Sequence, residues 1–154
     1  MTKDGIYMDF SVRKSTGADV STVAAMAGCI WHSAALEELE ADFLETMDTP
    51  DAAVFLVLEG DTVCGFAQCG LRRDYVEGTC SSPVGYLEGI YVKPEYRKMG
   101  CAKMLVTACE DWARAQGCEE FASDCELCNT QSLHFHLRIG FQEANRIICF
   151  TKKL

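Results

Sequence analysis

Apolar and polar positions alternate at the start of the chain. Ile6, Met8, Phe10 and Val12 stand against Tyr7, Asp9, Ser11 and Arg13, the period of a half-buried strand. After Gly17 and Asp19, turn and N-cap candidates, the period becomes helical, with Val20, Val23, Ala24, Ala27 and Ile30 on one face. A second helix is predicted over Ala35–Met47. Leu36, Leu39, Phe43 and Met47 form its apolar stripe, and Glu37, Glu38, Glu40, Asp42 and Glu45 its acidic face. Those acids read as a solvated face, or as an approach lined for a cation. Pro50 closes the helix, Ala53–Glu59 reads as a buried strand, and Gly60-Asp61 turns the chain into a hairpin partner from Val63 to about Tyr75. A turn-rich loop, Val76–Pro83, leads into the apolar run Val84–Val92, which holds one acid, Glu88. Pro94 ends that strand, since proline cannot donate to a ladder. Ala102, Leu105, Val106, Cys109, Trp112 and Ala113 then stripe a helix that begins near Cys101 and is closed by Gly117. Glu119–Asp124 is a short strand ending in an acid, Asn129–Ile139 a helix, and Arg146–Thr151 the last strand. This order mixes hairpins with crossovers. It predicts a mixed, mostly antiparallel sheet flanked by helices, α/β or α+β in class.

With 154 residues, the expectation is one domain spanning 1–154, large enough for a substantial core. Hydrophobic content of 49% and charged content of 24% are ordinary for a globular chain. No apolar run approaches a membrane span, and Met1–Ser11 lacks the apolar core of a signal peptide, so a cytoplasmic protein without a membrane partner is expected. A net charge of −9 argues against nucleic acid as the main partner, because phosphate backbones reward a basic surface. The same charge suits a cationic ligand, though it also simply keeps a protein soluble. Ten cysteines scatter over predicted strands and helices, and Cys125-x-x-Cys128 has no second pair at zinc spacing. Structural or incidental thiols are the simpler reading, with metal or redox use the alternative, and no metal is assigned.

Against that acidic background stands a local basic loop, Arg97-Lys98-Met99-Gly100, between a strand and a helix. The first turn of a helix has unpaired N–H groups and a partial positive charge. Gly100 lets backbone approach a ligand closely, and Arg97, Lys98 and Lys103 add charge. The arrangement suits phosphates. Glu88 is harder to dismiss than Asp124: a carboxylate within an apolar run is costly to bury without a partner, whereas an acid at a strand end often caps or faces solvent.

The element order, together with Arg97-Lys98-Met99-Gly100-Cys101-Ala102, resembles the GNAT superfamily of acetyl-CoA-dependent N-acetyltransferases. Its pyrophosphate loop reads Arg/Gln-x-x-Gly-x-Gly/Ala. Asn129 and the run His134-Phe135-His136-Leu137-Arg138-Ile139-Gly140-Phe141 look like a second segment of that family, with His136 where tyrosine is usual. Arg73–Thr79, Ser82–Val92, Glu120–Asp124 and Trp31 are similar to the aminoglycoside 6′-N-acetyltransferases.

The resemblance implies acetyl-CoA as co-substrate and an aminoglycoside amine as acceptor. Asp124 is then the base or amine-orienting group and Glu88 the second acid or a water anchor. Backbone groups of Ile90, Tyr91 and Val92 would pair with the pantetheine arm, and the amides of Lys98 to Lys103 would hold the pyrophosphate, with Asn129 on the pantetheine. His136 is a candidate to protonate the thiolate, with a structural role as the alternative. Trp31 and Tyr75 match aromatic positions of the antibiotic pocket, though either also reads as core. Asn145 stands where close relatives often carry an acid. Relatives of this kind are commonly homodimers. The competing readings are acetylation of another amine, such as a polyamine or protein N-terminus, and a non-catalytic acetyl-CoA-binding module.

Overall fold

The computed structural model describes the backbone of residues 2–3 and 6–154 and side chains from residue 8 onward. Two short strands, β1 (Thr2–Lys3) and β2 (Ile6–Tyr7), pair with each other. The alternating stretch at the start therefore splits, and only β3 (Phe10–Lys14) joins the main sheet. That sheet continues with β4 (Ala52–Glu59), β5 (Thr62–Arg72), β6 (Val84–Val92) and β7 (Phe121–Ala122), in the spatial order of the chain. Neighbours are antiparallel from β3 to β6, and β7 runs parallel to β6. The sheet is mixed and mostly antiparallel, as the pattern predicts.

Four helices cover it: α1 (Val20–Ala27), α2 (Leu36–Asp48), α3 (Cys101–Ala115) and α4 (Thr130–Arg138). The two-residue period of β4 sorts them. Val54, Leu56 and Leu58 face α1 and α2, packing with Val23, Ala27, Leu39 and Phe43. Ala53 and Val57 face the other way, against Leu105, Val106 and Cys109 of α3, with Phe135 of α4 and Ile139, just past its end, at the margin. Leu56, Phe66 and Leu105 are fully buried, each contributing about 2 kcal/mol of transfer free energy. Asp19 sits at the start of α1 but turns its carboxylate to the Thr16 amide (2.9 Å) and the Arg13 guanidinium (2.8 Å). Hydrogen bonding from Arg13 holds that carboxyl down at about 2.

Three sequence expectations change. β5 stops at Arg72 because its partner β6 begins opposite it, at Val84, so Tyr75 lies outside the sheet. β7 keeps two residues of its predicted six, and Asp124 lies beyond its end. The last strand, Arg146–Thr151, is absent: residues 141–154 take no regular structure, and Ile147, Ile148 and Phe150 are exposed. β-propensity states a preference, but a strand forms only against a partner edge, and none among the described residues meets this segment. Among the described residues, no helix is long and apolar enough to cross a membrane.

Candidate active site

β6 and β7 pair only at Gly85–Phe121 and Tyr86–Ala122, and then the ladder ends. Beyond Tyr86, the β7-facing edge of β6 has no strand partner, while its other edge stays paired to β5 as far as Val92. A short parallel contact that opens in this way leaves room for an extended ligand arm to pair as an added strand. On the β5 side the register slips: Gln68 pairs with Gly89 but Cys69 with Leu87, so Glu88 is the extra residue of a bulge. Bulges re-aim side chains. Here the bulge sends Glu88 out of the apolar run toward Arg72, which grips it with Nε and Nη2 at 2.9–3.2 Å.

The Arg72 guanidinium also lies 3.5 Å above the centre of the Tyr86 ring, and the Tyr86 hydroxyl donates to Asp124. Burial and the Asp124 carboxylate push the Tyr86 phenol up from its ordinary value, so Tyr86 remains a donor. Glu88, Arg72, Tyr86 and Asp124 thus form one chain of contacts across the opening. Two carboxylates against one guanidinium leave a single net negative charge, a match for one ammonium. The ion pair is half-exposed and adds little stability, but it fixes where Glu88 points. Arg72 and Tyr86 escaped the sequence reading. Tyr86 lies two residues before Glu88 in the same strand, which was the available signal, but the run around it read only as an apolar strand.

At the far end of β6, a short 3-10 turn (Pro94–Tyr96) leads into the basic loop. Lys98 (φ 61°) and Gly100 (φ 86°) are both left-handed, and Gly100 caps α3. Such a curl aims successive amides to one side, as anion-binding nests do. The Arg97 Nε donates to the Val92 carbonyl at 2.9 Å, which ties the loop to the strand. Lys98 and Lys103 are exposed, whereas Met99 packs against the core and the Cys101 side chain is buried in it. Met99, Cys101 and Ala102 therefore offer backbone amides rather than side chains. These features fit a diphosphate-bearing ligand whose arm continues along Ile90, Tyr91 and Val92.

The remaining predicted residues divide. The Trp31 indole lies over Gly89, the residue after Glu88 in the strand, so close that a methyl group there would stand 2.6 Å from Cη2. Tyr75 is 81% exposed and Asn145 is exposed as well; both bind Glu77, at 2.5 and 2.8 Å, and among the described residues no hydrogen bond or ion pair joins them to Glu88 or Asp124. Asn129 accepts from the Ser132 amide (3.0 Å), capping α4 and leaving its side-chain NH2 as the group to offer a ligand. His136 has both ring nitrogens engaged, Nδ1 by the Ser132 carbonyl (2.7 Å) and Nε2 by the Ser123 hydroxyl (2.8 Å). A cavity of about 540 Å³ lies apart from the acids, between α1 and the end of β6, lined by Cys29, Tyr91 and Lys93 among others.

Residues 21–141 match the acetyltransferase (GNAT) family. The chain belongs to that family. As a GNAT acetyltransferase it has relatives of nearly equal length. One is the aminoglycoside N(6′)-acetyltransferase type 1 of Stenotrophomonas maltophilia, 39% identical over 148 residues and 94% of each chain. The structure is also similar to that of AAC(6′)-Iy in complex with CoA, with a TM-score of 0.93 and 32% identity, covering 97% of this chain and 99% of that one. AAC(6′)-Iy bound to a bisubstrate analogue, CoA-S-monomethyl-acetylneamine, superposes with a TM-score of 0.90 at 33% identity, covering 95% and 99%.

Proposed function

We propose that this GNAT enzyme, a single domain, transfers the acetyl group of acetyl-CoA to the 6′-amine of aminoglycoside antibiotics. The observation that carries the reading is the contact chain Glu88–Arg72–Tyr86–Asp124, set across the opening of β6 and β7 on the strand that ends in the basic loop. The relatives named for 6′-acetylation support the choice of acceptor. Acetyl-CoA supplies an activated thioester. Its diphosphate is held by the amides from Lys98 to Lys103, with Arg97 and Lys98 adding charge, and its arm lies against Ile90, Tyr91 and Val92, with Asn129 alongside. The acceptor arrives as an ammonium without a lone pair. Asp124 binds it through a charge-assisted hydrogen bond and takes its proton, directly or through water. Glu88, fixed by Arg72, supplies the second negative group. Trp31 beside Gly89 offers an aromatic face to a sugar ring, while Tyr75 and Asn145, joined through Glu77, line the outer approach. The ten cysteines are all free thiols, which fits a reducing cytoplasm.

Thiol release from acetyl-CoA tests this reading. Turnover is expected with kanamycin or tobramycin and not with an aminoglycoside that lacks the 6′-amine. Turnover of polyamines or peptides alone would sink it.

Two copies are proposed to pair. The tail 141–154 carries exposed Ile147, Ile148 and Phe150, and β7 is a two-residue strand at the end of the sheet. Asn145 to Glu77 and Arg146 to Glu143 hold the base of that tail in place. A second copy offers the strand edge that the tail does not find among the described residues of its own chain. Light scattering is expected to give twice the 17.0 kDa chain mass, and removal of residues 147–154 to give the single mass. A full-length chain at the single mass contradicts the pairing.

A further inference from the structure

Ser123 is the first residue past β7, between Ala122, the last paired residue, and Asp124. Its hydroxyl stands where β6 and β7 part, 3.4 Å from the Leu87 carbonyl oxygen and 2.8 Å from His136 Nε2. Across the imidazole, Nδ1 lies 2.7 Å from the Ser132 carbonyl oxygen. A carbonyl can only accept, so Nδ1 keeps its hydrogen, and Nε2 is the nitrogen that faces Ser123 with either a lone pair or a hydrogen. The rings of Phe135 and Phe141 flank the imidazole edge-on, at 5.5 and 5.2 Å, and hold its plane. With a neutral ring, Ser123 donates to Nε2. With a charged ring, Nε2–H donates to Ser123, and the hydrogen of the serine turns toward Leu87 and the opening. His136 thus reaches the opening through Ser123.

We propose that Ser123 and His136 form a proton relay to the leaving thiolate. This rests on the acetyl-transfer reading and extends it. The Ser123 hydroxyl stands where β6 and β7 part, the same opening along which the arm of acetyl-CoA is proposed to lie. When the C–S bond breaks, its electron pair stays on sulfur. Sulfur takes the Ser123 proton, Ser123 takes the Nε2 proton of His136, and the imidazole is left neutral. The two protons lost by the ammonium leave through Asp124 to solvent, and one returns to His136 before the next cycle. One proton is released per acetyl group transferred. Ser123 is the catalytic residue of the pair, and His136 acts through it.

Steady-state kinetics of Ser123→Ala, Ser123→Thr, His136→Gln and the Ala/Gln double variant test the relay, with tobramycin and acetyl-CoA as substrates. Ser123→Ala is expected to lower kcat about tenfold, below the usual range for acid–base groups because a thiolate is already a fair leaving group. KM for both substrates should stay within about twofold, Ser123→Thr should restore kcat, and the double variant should fall no further than the lower single, as parts of one unit behave. Unchanged kcat in Ser123→Ala, a raised KM with kcat intact, or losses that multiply in the double variant overturn the relay. Wild-type enzyme that acetylates only other primary amines overturns the aminoglycoside reading instead, and the relay is then scored on those amines. Wild-type enzyme that acetylates no amine overturns both.

Discussion

Asp124→Asn is expected to lower kcat for amine acetylation by about a thousandfold, with the affinity for acetyl-CoA within about twofold of wild type. The substitution is nearly isosteric. An asparagine oxygen still accepts from the Tyr86 hydroxyl, so the contacts that place residue 124 at the end of β7 persist. The negative charge is lost, and with it the ability to take a proton. The net charge of the Glu88–Arg72–Asp124 cluster goes from −1 to zero, so the ammonium loses its charge-assisted partner and its KM rises as well. The diphosphate loop belongs to the far end of β6 and to α3, which this change does not touch. Initial rates against both substrates, with calorimetric titration of CoA, measure the two effects separately. A kcat within about threefold of wild type removes Asp124 from the role of base.

The basic loop and its helix were legible because their signals are local. Pro94 ends a strand, Gly100 permits a left-handed turn, and an apolar stripe from Ala102 to Ala113 marks the helix; α3 begins at Cys101, as read. Glu88 and Asp124 stood out as acids next to apolar runs. What joins them was not legible. The contact runs through Arg72 at the end of β5 and Tyr86 within β6, and it depends on a bulge that appears only when two strands are set in register. Ser123 was hidden for a related reason, since its partner His136 lies 13 residues further on, across a loop and a helix. His136 itself was visible as a departure from tyrosine, yet only its neighbours show that it faces a hydroxyl. The absent last strand is the opposite case. Arg146–Thr151 has the composition of a strand, and pattern reading has no means of asking whether a partner edge exists.

Gly65→Ala is expected to cost about 3 kcal/mol of stability, from one methyl group. Gly65 faces Val92 across the β5–β6 ladder, and a Cβ there would fall 2.5 Å from the Tyr91 carbonyl oxygen and 3.1 Å from Val92 Cα. Both neighbours are backbone, so no side chain can swing aside and the strands themselves must separate. Stability of a domain is typically about 5–15 kcal/mol, so the loss is a large share of the margin. Urea unfolding should show a lower midpoint at an unchanged slope. The same displacement has a functional consequence, because the carbonyl of Val92 accepts from Arg97 Nε and ties the basic loop to the strand. Acetyl-CoA should bind more weakly as β6 moves, while Glu88, at the middle of the strand, and Asp124, which meets Tyr86 near its start, keep their partners. A variant with wild-type stability would mean that β5 and β6 part there without cost, and that the loop does not depend on their close approach.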